Sequence, residues 1–259
     1  MYQSLTYEIQ DRVGRVTFTT PETLNSISEA RIADLQRVID AVRDNEAVRA
    51  LSITGTGRAF CVGLDLNLLK KAFADISYFE SVVRRLNGVL LDLEELPVPV
   101  IAAVNGYARA GGFELALACD FILIADEARI GDNHAQVGVM PGGGATQRLP
   151  QRIGMQNAKA LIFMANWLTG PEAVACGLAL RSVPLTELNA ATEQMLRELV
   201  HRPRTLTATL KRTLHASRTL DRRAGIEFEI SNFVRYMGQE PYAREGYLAS
   251  LDKRDPSWY

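Results

Sequence analysis

Several things are scarce in this chain of 259 residues, and each scarcity excludes something. Cysteine occurs three times, as Cys61, Cys119 and Cys176, each alone among apolar neighbours with no CxxC pair. A disulfide framework or a thiolate zinc site is therefore not expected, and the pattern suits reduced, packed thiols in a cytoplasmic protein. Three histidines are too few for a histidine-rich metal centre, so no metal is expected. No uncharged apolar run approaches the roughly 18 to 20 residues that span a bilayer. The opening MYQSLTYEIQ lacks the basic region and apolar core of a signal peptide. Excess charge of one sign is missing too: 29 basic and 30 acidic side chains leave a net charge of −1. That balance argues against a surface built for nucleic acid or an anionic membrane. What remains, 47% hydrophobic and 23% charged, is the composition of a globular protein. The length allows one large domain or one and a half.

The first strand signals lie on either side of Gly14 and its neighbours, with Leu5, Tyr7 and Ile9 on one parity and Val13 to Phe18 following. Ser28 precedes a helical pattern of Ile32, Leu35, Val38, Ile39 and Val42. Val48 to Thr54 reads as a strand, and Ser77 to Leu96 as a helix closed by Pro97 and Pro99. Val98–Val104 and Phe121–Ala125 are continuous apolar runs, as expected of strands buried on both faces. The recurring order of strand, glycine-bearing loop, helix and strand suggests stacked βα or ββα turns, although no exact period is visible. From about residue 185 the strand signals stop, and four helical stretches follow: Leu185–Val200, Pro203–Ser217, Asp221–Met237 and Pro241–Leu251.

Two glycine-bearing segments are the candidates for chemistry. In AFCVGLDLNL, residues 59–68, a strand reaches Gly63 and a helix starts near Asp65. In NGYARAGGFELALACD, residues 105–120, Gly111 and Gly112 open a second helix. Each places unpaired backbone N–H groups and the positive end of a helix dipole at the end of a strand. Facing one another, two such places could hold a developing oxyanion without a metal. Either glycine could equally do no more than permit a tight turn.

Taken together these segments resemble the crotonase superfamily, the enoyl-CoA hydratase/isomerase family. Ala59–Leu66 is similar to its AFCAGxDL block, Asn105–Leu115 to NGxAxGGGxEL, Gly138–Pro150 to GxxPGxGGTQRLP, and the ending REGYLASLDKRDPSW to EGxxAFxEKRxP. The resemblance runs from Val13 to about Arg254 and implies an α/β fold. In that fold, residues 1–200 form a crotonase-like spiral of repeated ββα turns and residues 201–259 a helical, oligomer-forming region. It further implies that the amides of Leu64 and Gly111 form an oxyanion hole for an acyl-CoA thioester carbonyl, each such donor being worth roughly 2.7–4 kcal/mol. Asn25, Ser26 and Ile27 would lie along the CoA with backbone contacts, and Asp65–Leu66 would approach its adenine. CoA is then part of the substrate and no separate cofactor is implied. No P-loop or GxGxxG is present to suggest a nucleotide cofactor.

Glu114 is similar to the first catalytic glutamate of the hydratases. By its position alone, in the first turn of a helix, it could be a cap or dipole partner. The second hydratase glutamate would stand four residues before Gly138, where this chain has His134. An imidazole with an ordinary pKa of about 6.5 can donate or accept a proton near neutrality, and a Glu114–His134 pair is expected to do the acid–base work. The first expectation is hydration of a trans-2-enoyl-CoA. The alternatives are another reaction on the same scaffold (isomerisation, thioester or C–C bond hydrolysis, decarboxylation) and a binding protein that has lost catalysis.

Three further features carry expectations. The family assembles through its C-terminal helices, so a homotrimer or a dimer of trimers is implied, with Phe228, Phe233, Tyr236 and Tyr247 as apolar surface to bury. Segment 202–223 is locally basic, with Arg202, Arg204, Lys211, Arg212, Arg218, Arg222 and Arg223 against Asp221. It reads as a solvated face, or else as a contact for ligand phosphates or a neighbouring subunit. Arg109 stands where the family has a small or apolar residue, and is expected in a surface loop unless it binds an acidic acyl chain.

Overall fold

The computed structural model describes residues 1–258, and Tyr259, the last residue of the expected helical region, lies outside the described residues. Strands β1 (Leu5–Gln10) and β2 (Val13–Phe18) pair antiparallel, with Leu5 opposite Phe18. The two residues between them, Asp11 and Arg12, both take positive φ, 51° and 66°, which matches the right-handed twist of a tight hairpin. Helix α1 (Glu29–Asp44) starts where Ser28 accepts a hydrogen bond from the Arg31 amide. It buries the expected stripe of Ile32, Leu35, Val38, Ile39 and Val42.

A spiral then begins. Its first turn is β3 (Ala50–Gly55), β4 (Ala59–Cys61), α2 (Leu66–Ala74) and α3 (Ile76–Glu94). The second is β5 (Val100–Val104), β6 (Tyr107–Arg109) and α4 (Gly111–Ala118). The third is β7 (Phe121–Ala125), β8 (Arg129–Gly131) and, after a short 3-10 turn at Ala135–Val137, α5 (Ala145–Ile153). The first strand of each turn enters a six-stranded sheet of order β1-β2-β3-β5-β7-β9, and the second enters a three-stranded sheet of order β4-β6-β8. From β2 onward every pairing within these sheets is parallel. This is the α/β spiral of ββα turns that the sequence blocks imply.

The chain continues through α6 (Met155–Phe163), α7 (Gly170–Ala175), β9 (Arg181–Val183) and α8 (Leu185–Val200), and ends in α9 (Arg204–Ala216), α10 (Arg222–Gln239) and α11 (Pro241–Leu251). Strands β6, β8 and β9 and helices α5–α7 are not among the elements expected from the sequence. A strand of three residues is too short to show alternation. Arg109 accordingly lies on β6, not in a surface loop.

Burial explains why α4 sits where it does. All eight of its residues are buried, as expected of a helix that is apolar all round, and Glu114 is the one ionisable group on it. A β-carbon at Gly112 would stand 2.0 Å from the Cys61 carbonyl oxygen, so only glycine lets α4 cross the end of β4. Cys61, Cys119 and Cys176 are all free thiols.

Most of the basic segment is solvated, with Arg202, Arg212, Arg218, Arg222 and Arg223 exposed, but three of its cations hold partners on the spiral. Arg204 donates to the carbonyls of Val42, Arg43 and Asn45, at the end of α1. Lys211, 8% exposed, donates to Asp120 at 2.7 Å and to the Val98 carbonyl. Arg218 pairs with Glu94 at 3.1 Å. These cations dock α9 onto the spiral. Beyond it, α10 and α11 leave Ile226, Ile230, Phe233, Val234, Met237, Tyr247 and Leu251 exposed.

Candidate active site

The two glycine-bearing segments meet. A β-carbon at Gly63 would stand 2.9 Å from the Gly111 nitrogen, and one at Gly111 would stand 3.7 Å from the Leu64 nitrogen. Among the described residues, neither the Leu64 nor the Gly111 N–H has a hydrogen-bond partner. Gly63 takes φ +93°, a conformation that glycine adopts without cost. Ala110, just before the second donor, takes φ 48°, a strained region for a residue with a β-carbon. It is held there because its N–H donates to the Asp132 carbonyl at 3.0 Å. The structure thus presents two free amides side by side at the start of two helices, as an oxyanion hole requires.

Glu114 is 2% exposed. Its Oε1 accepts from the Gly143 N–H at 2.7 Å and the Ala145 N–H at 3.2 Å. These donors come from the glycine-rich loop and the first residue of α5, and Arg148 anchors the loop by donating to the Gly143 carbonyl at 2.7 Å while pairing with Glu94 at 2.8 Å. Burial is the largest influence on the Glu114 carboxyl and raises it. The His134 charge and the two amides pull the other way, Asp132 pushes up, and the balance lies above the ordinary glutamate value.

His134 stands at the start of the 3-10 turn, its side chain 15% exposed. Its Nδ1 lies 3.1 Å from Asp132 Oδ1, and its own N–H donates to the same oxygen at 3.3 Å. Burial pushes the imidazole down, but the hydrogen bond to Asp132 and the charges of Asp132 and Glu114 outweigh it, with Arg109 opposing. The net result lies above the ordinary histidine value. Glu114 and His134, 20 residues apart in sequence, therefore act electrostatically on each other across the site.

The residues expected along the CoA fall into two groups. The amides of Asn25, Ser26 and Ile27 donate to the carbonyls of Thr20, Thr23 and Gly63 at 2.9, 3.2 and 2.8 Å. These three N–H groups are thus used within the turn itself. The Asn25 side chain is fully buried, donating to Thr56 and Ala59 carbonyls and accepting from the Thr20 amide. Ile27 also accepts from the Asp65 amide at 3.0 Å, so this turn braces the loop that carries Leu64. Asp65 caps α2 by accepting from the amides of Asn67 and Leu68, and Leu66 is 72% exposed. A groove of about 280 Å³ lies between Leu24, Arg58, Val62, Tyr107, Arg109 and Trp167.

Three residues of the site carry no expectation from sequence. Asp132 is detectable only as an acid two residues before a histidine. Gly143 is one glycine among three, and Arg148 is a basic residue in an amphipathic helix. Among the described residues no group of three or more His, Cys, Asp or Glu side chains is placed to hold a metal ion, and no helix is long and apolar enough to cross a membrane.

Comparison with known proteins agrees with the geometry. The sequence model described as enoyl-CoA hydratase/isomerase matches residues 8–259. A probable mitochondrial enoyl-CoA hydratase of Dictyostelium discoideum is 34% identical over 98% of this chain and 90% of its own length. A probable enoyl-CoA hydratase of Rhodobacter capsulatus is 32% identical over 98% of this chain and 97% of its own. The crystal structure of an enoyl-CoA hydratase from Bacillus anthracis superposes with a TM-score of 0.93 at 29% identity, covering 99% of both chains. The protein belongs to the enoyl-CoA hydratase/isomerase family.

Proposed function

We propose that the protein is a hydratase-type lyase that adds water across the 2,3 double bond of an acyl-CoA thioester. The observation that supports this most strongly is the pairing of two unpartnered amides, Leu64 and Gly111, with a buried Glu114 fixed beside them. The thioester carbonyl accepts from both amides, which carry the negative charge as the enolate forms. Ionised Glu114 takes a proton from the water that attacks carbon 3. His134, as imidazolium, delivers a proton to carbon 2, so a hydrogen and a hydroxyl are added and no other reactant is needed. Each proton-transfer group is worth about 10²–10⁴ in rate. Asp65 and Leu66 border the CoA, with the buried turn at Asn25, Ser26 and Ile27 beneath them as support, and the acyl chain is the only part of the substrate that changes.

The test is the absorbance of the conjugated enoyl thioester with crotonyl-CoA and with longer and branched enoyl-CoAs. Wild type is expected to bleach at least one, and Glu114→Gln to bleach none at a comparable rate. A wild type inert toward all of them contradicts the reading.

One observation favours a second reaction. An imidazole held by a buried carboxylate is also the arrangement that activates water against a carbonyl, which would release free CoA or a ring-opened acid. The same incubations distinguish the two by their products.

The exposed apolar faces of α10 and α11 support assembly of this chain with its own copies, as a trimer or a dimer of trimers. Light scattering tests it, and a monomer at micromolar concentration contradicts it.

A further inference from the structure

We infer that Asp132 is a positioning residue for both halves of the site: its carboxylate holds His134 by Nδ1 and leaves Nε2 for the substrate, while its carbonyl anchors the peptide that precedes the oxyanion donor Gly111. The inference rests on the reading of His134 as a proton-transfer group. Asp132 is 0% exposed. Its Oδ1 faces both nitrogens of His134 described above, and its Oδ2 is buried without a hydrogen-bond partner. A buried carboxylate oxygen with no donor is costly unless a cation adjoins the group. His134 in its protonated form is such a cation, bonded to the sister oxygen.

The surrounding chain leaves this residue little freedom. Asn133, 5% exposed and at φ 55°, donates from Nδ2 to the Ala165 carbonyl at 2.8 Å. On the other side, a β-carbon at Gly131 would stand 2.5 Å from the Asn166 carbonyl oxygen, and Gly131 pairs with Arg109 in the small sheet. Asp132 is therefore clamped between two points of contact with the segment 165–166, and the imidazole inherits that placement. Fixing one ring nitrogen decides which tautomer is present and which nitrogen faces outward.

The charged groups that face His134 are Asp132 from its own turn, Glu114 from α4 and Arg109 from β6. The first two favour the imidazolium and the third opposes it. Removing the Asp132 charge should thus lower the His134 titration, and removing the hydrogen bond should free the ring to rotate. Asp132→Asn removes the charge and weakens the hydrogen bond while keeping the side-chain shape and the main-chain bond to Ala110.

The experiment is ¹⁵N NMR titration of His134, resolvable in a protein with three histidines, beside the pH profile of enoyl-CoA hydration. In wild type the neutral ring should carry its proton on Nδ1. In Asp132→Asn the His134 midpoint and the basic limb of the kcat profile should both move to lower pH. At the wild-type optimum, kcat should fall roughly 10²-fold, the lower end of what a general acid supplies, with KM little changed. A wild-type neutral ring protonated on Nε2 overturns the inference without any variant. So does an Asp132→Asn enzyme that turns over with an unshifted profile. If wild type hydrates nothing, the reading of the reaction fails instead, and the tautomer and midpoint still decide whether Asp132 holds His134.

Discussion

Gly143 and Glu114 are fitted to each other: the glycine N–H donates to one carboxylate oxygen at 2.7 Å, and a β-carbon on the glycine would stand 2.4 Å from the other. Glu114 is therefore held by a loop that tolerates no side chain at that position. Gly143→Ala must push Glu114 or the loop aside. We expect a folded protein with kcat lowered by about 10²-fold or more, within the range of a lost general base. Circular dichroism with steady-state kinetics checks this, and an alanine variant of full activity contradicts it.

The pH dependence follows from two upward shifts. In the proposed reaction Glu114 works ionised, so activity rises as pH climbs through its elevated value. His134 works protonated, so activity falls as pH climbs through its own elevated value. Both limbs of kcat/KM should then lie above the unperturbed positions, about 4.3 for glutamate and 6.5 for histidine. The two apparent values belong to the interacting pair. His134→Gln should abolish the basic limb, and a variant that keeps it assigns the limb elsewhere.

Asn25 separates a brace from a ligand contact. Its buried side chain makes three hydrogen bonds to the chain, and leaving such groups unpaired costs roughly 1–3 kcal/mol each. Asn25→Ala should lower the melting temperature while leaving KM for the acyl-CoA nearly unchanged. A raised KM at unchanged stability would show a direct contact with CoA.

The sequence announces the long and the buried elements and hides the short ones. The stripe of α1 and the apolar runs of β5 and β7 are legible because burial imposes a period or its absence over at least five residues. Strands β6 and β8 take their places from their neighbours in the small sheet, and their three residues carry no pattern of their own. The same holds for the site. Leu64, Gly111, Glu114 and His134 are legible through the blocks around them. Asp132 and Gly143 matter because of residues that meet them only in the fold. The basic run at 202–223 reads correctly as a mostly solvated face, but the sequence does not show that Arg204, Lys211 and Arg218 find partners on α1, near β7 and on α3.

Those inward cations give a stability contrast. Lys211 and Asp120 form a mostly buried pair, and removing one partner of such a pair costs about 3–5 kcal/mol. Lys211→Ala should lower the denaturation midpoint accordingly, whereas exposed Arg223→Ala should stay within about 0.5 kcal/mol of wild type. Equal effects from the two would contradict the docking role of α9.

The most direct measurement is incubation with a panel of enoyl-, dienoyl- and β-ketoacyl-CoAs in H₂¹⁸O, read by mass spectrometry, with wild type and His134→Ala in parallel. The expected result is one labelled water gained with CoA still attached in wild type, and a large loss of that product in the variant. Label appearing in a free or ring-opened acid would contradict hydration and assign the Glu114–His134 pair to hydrolysis.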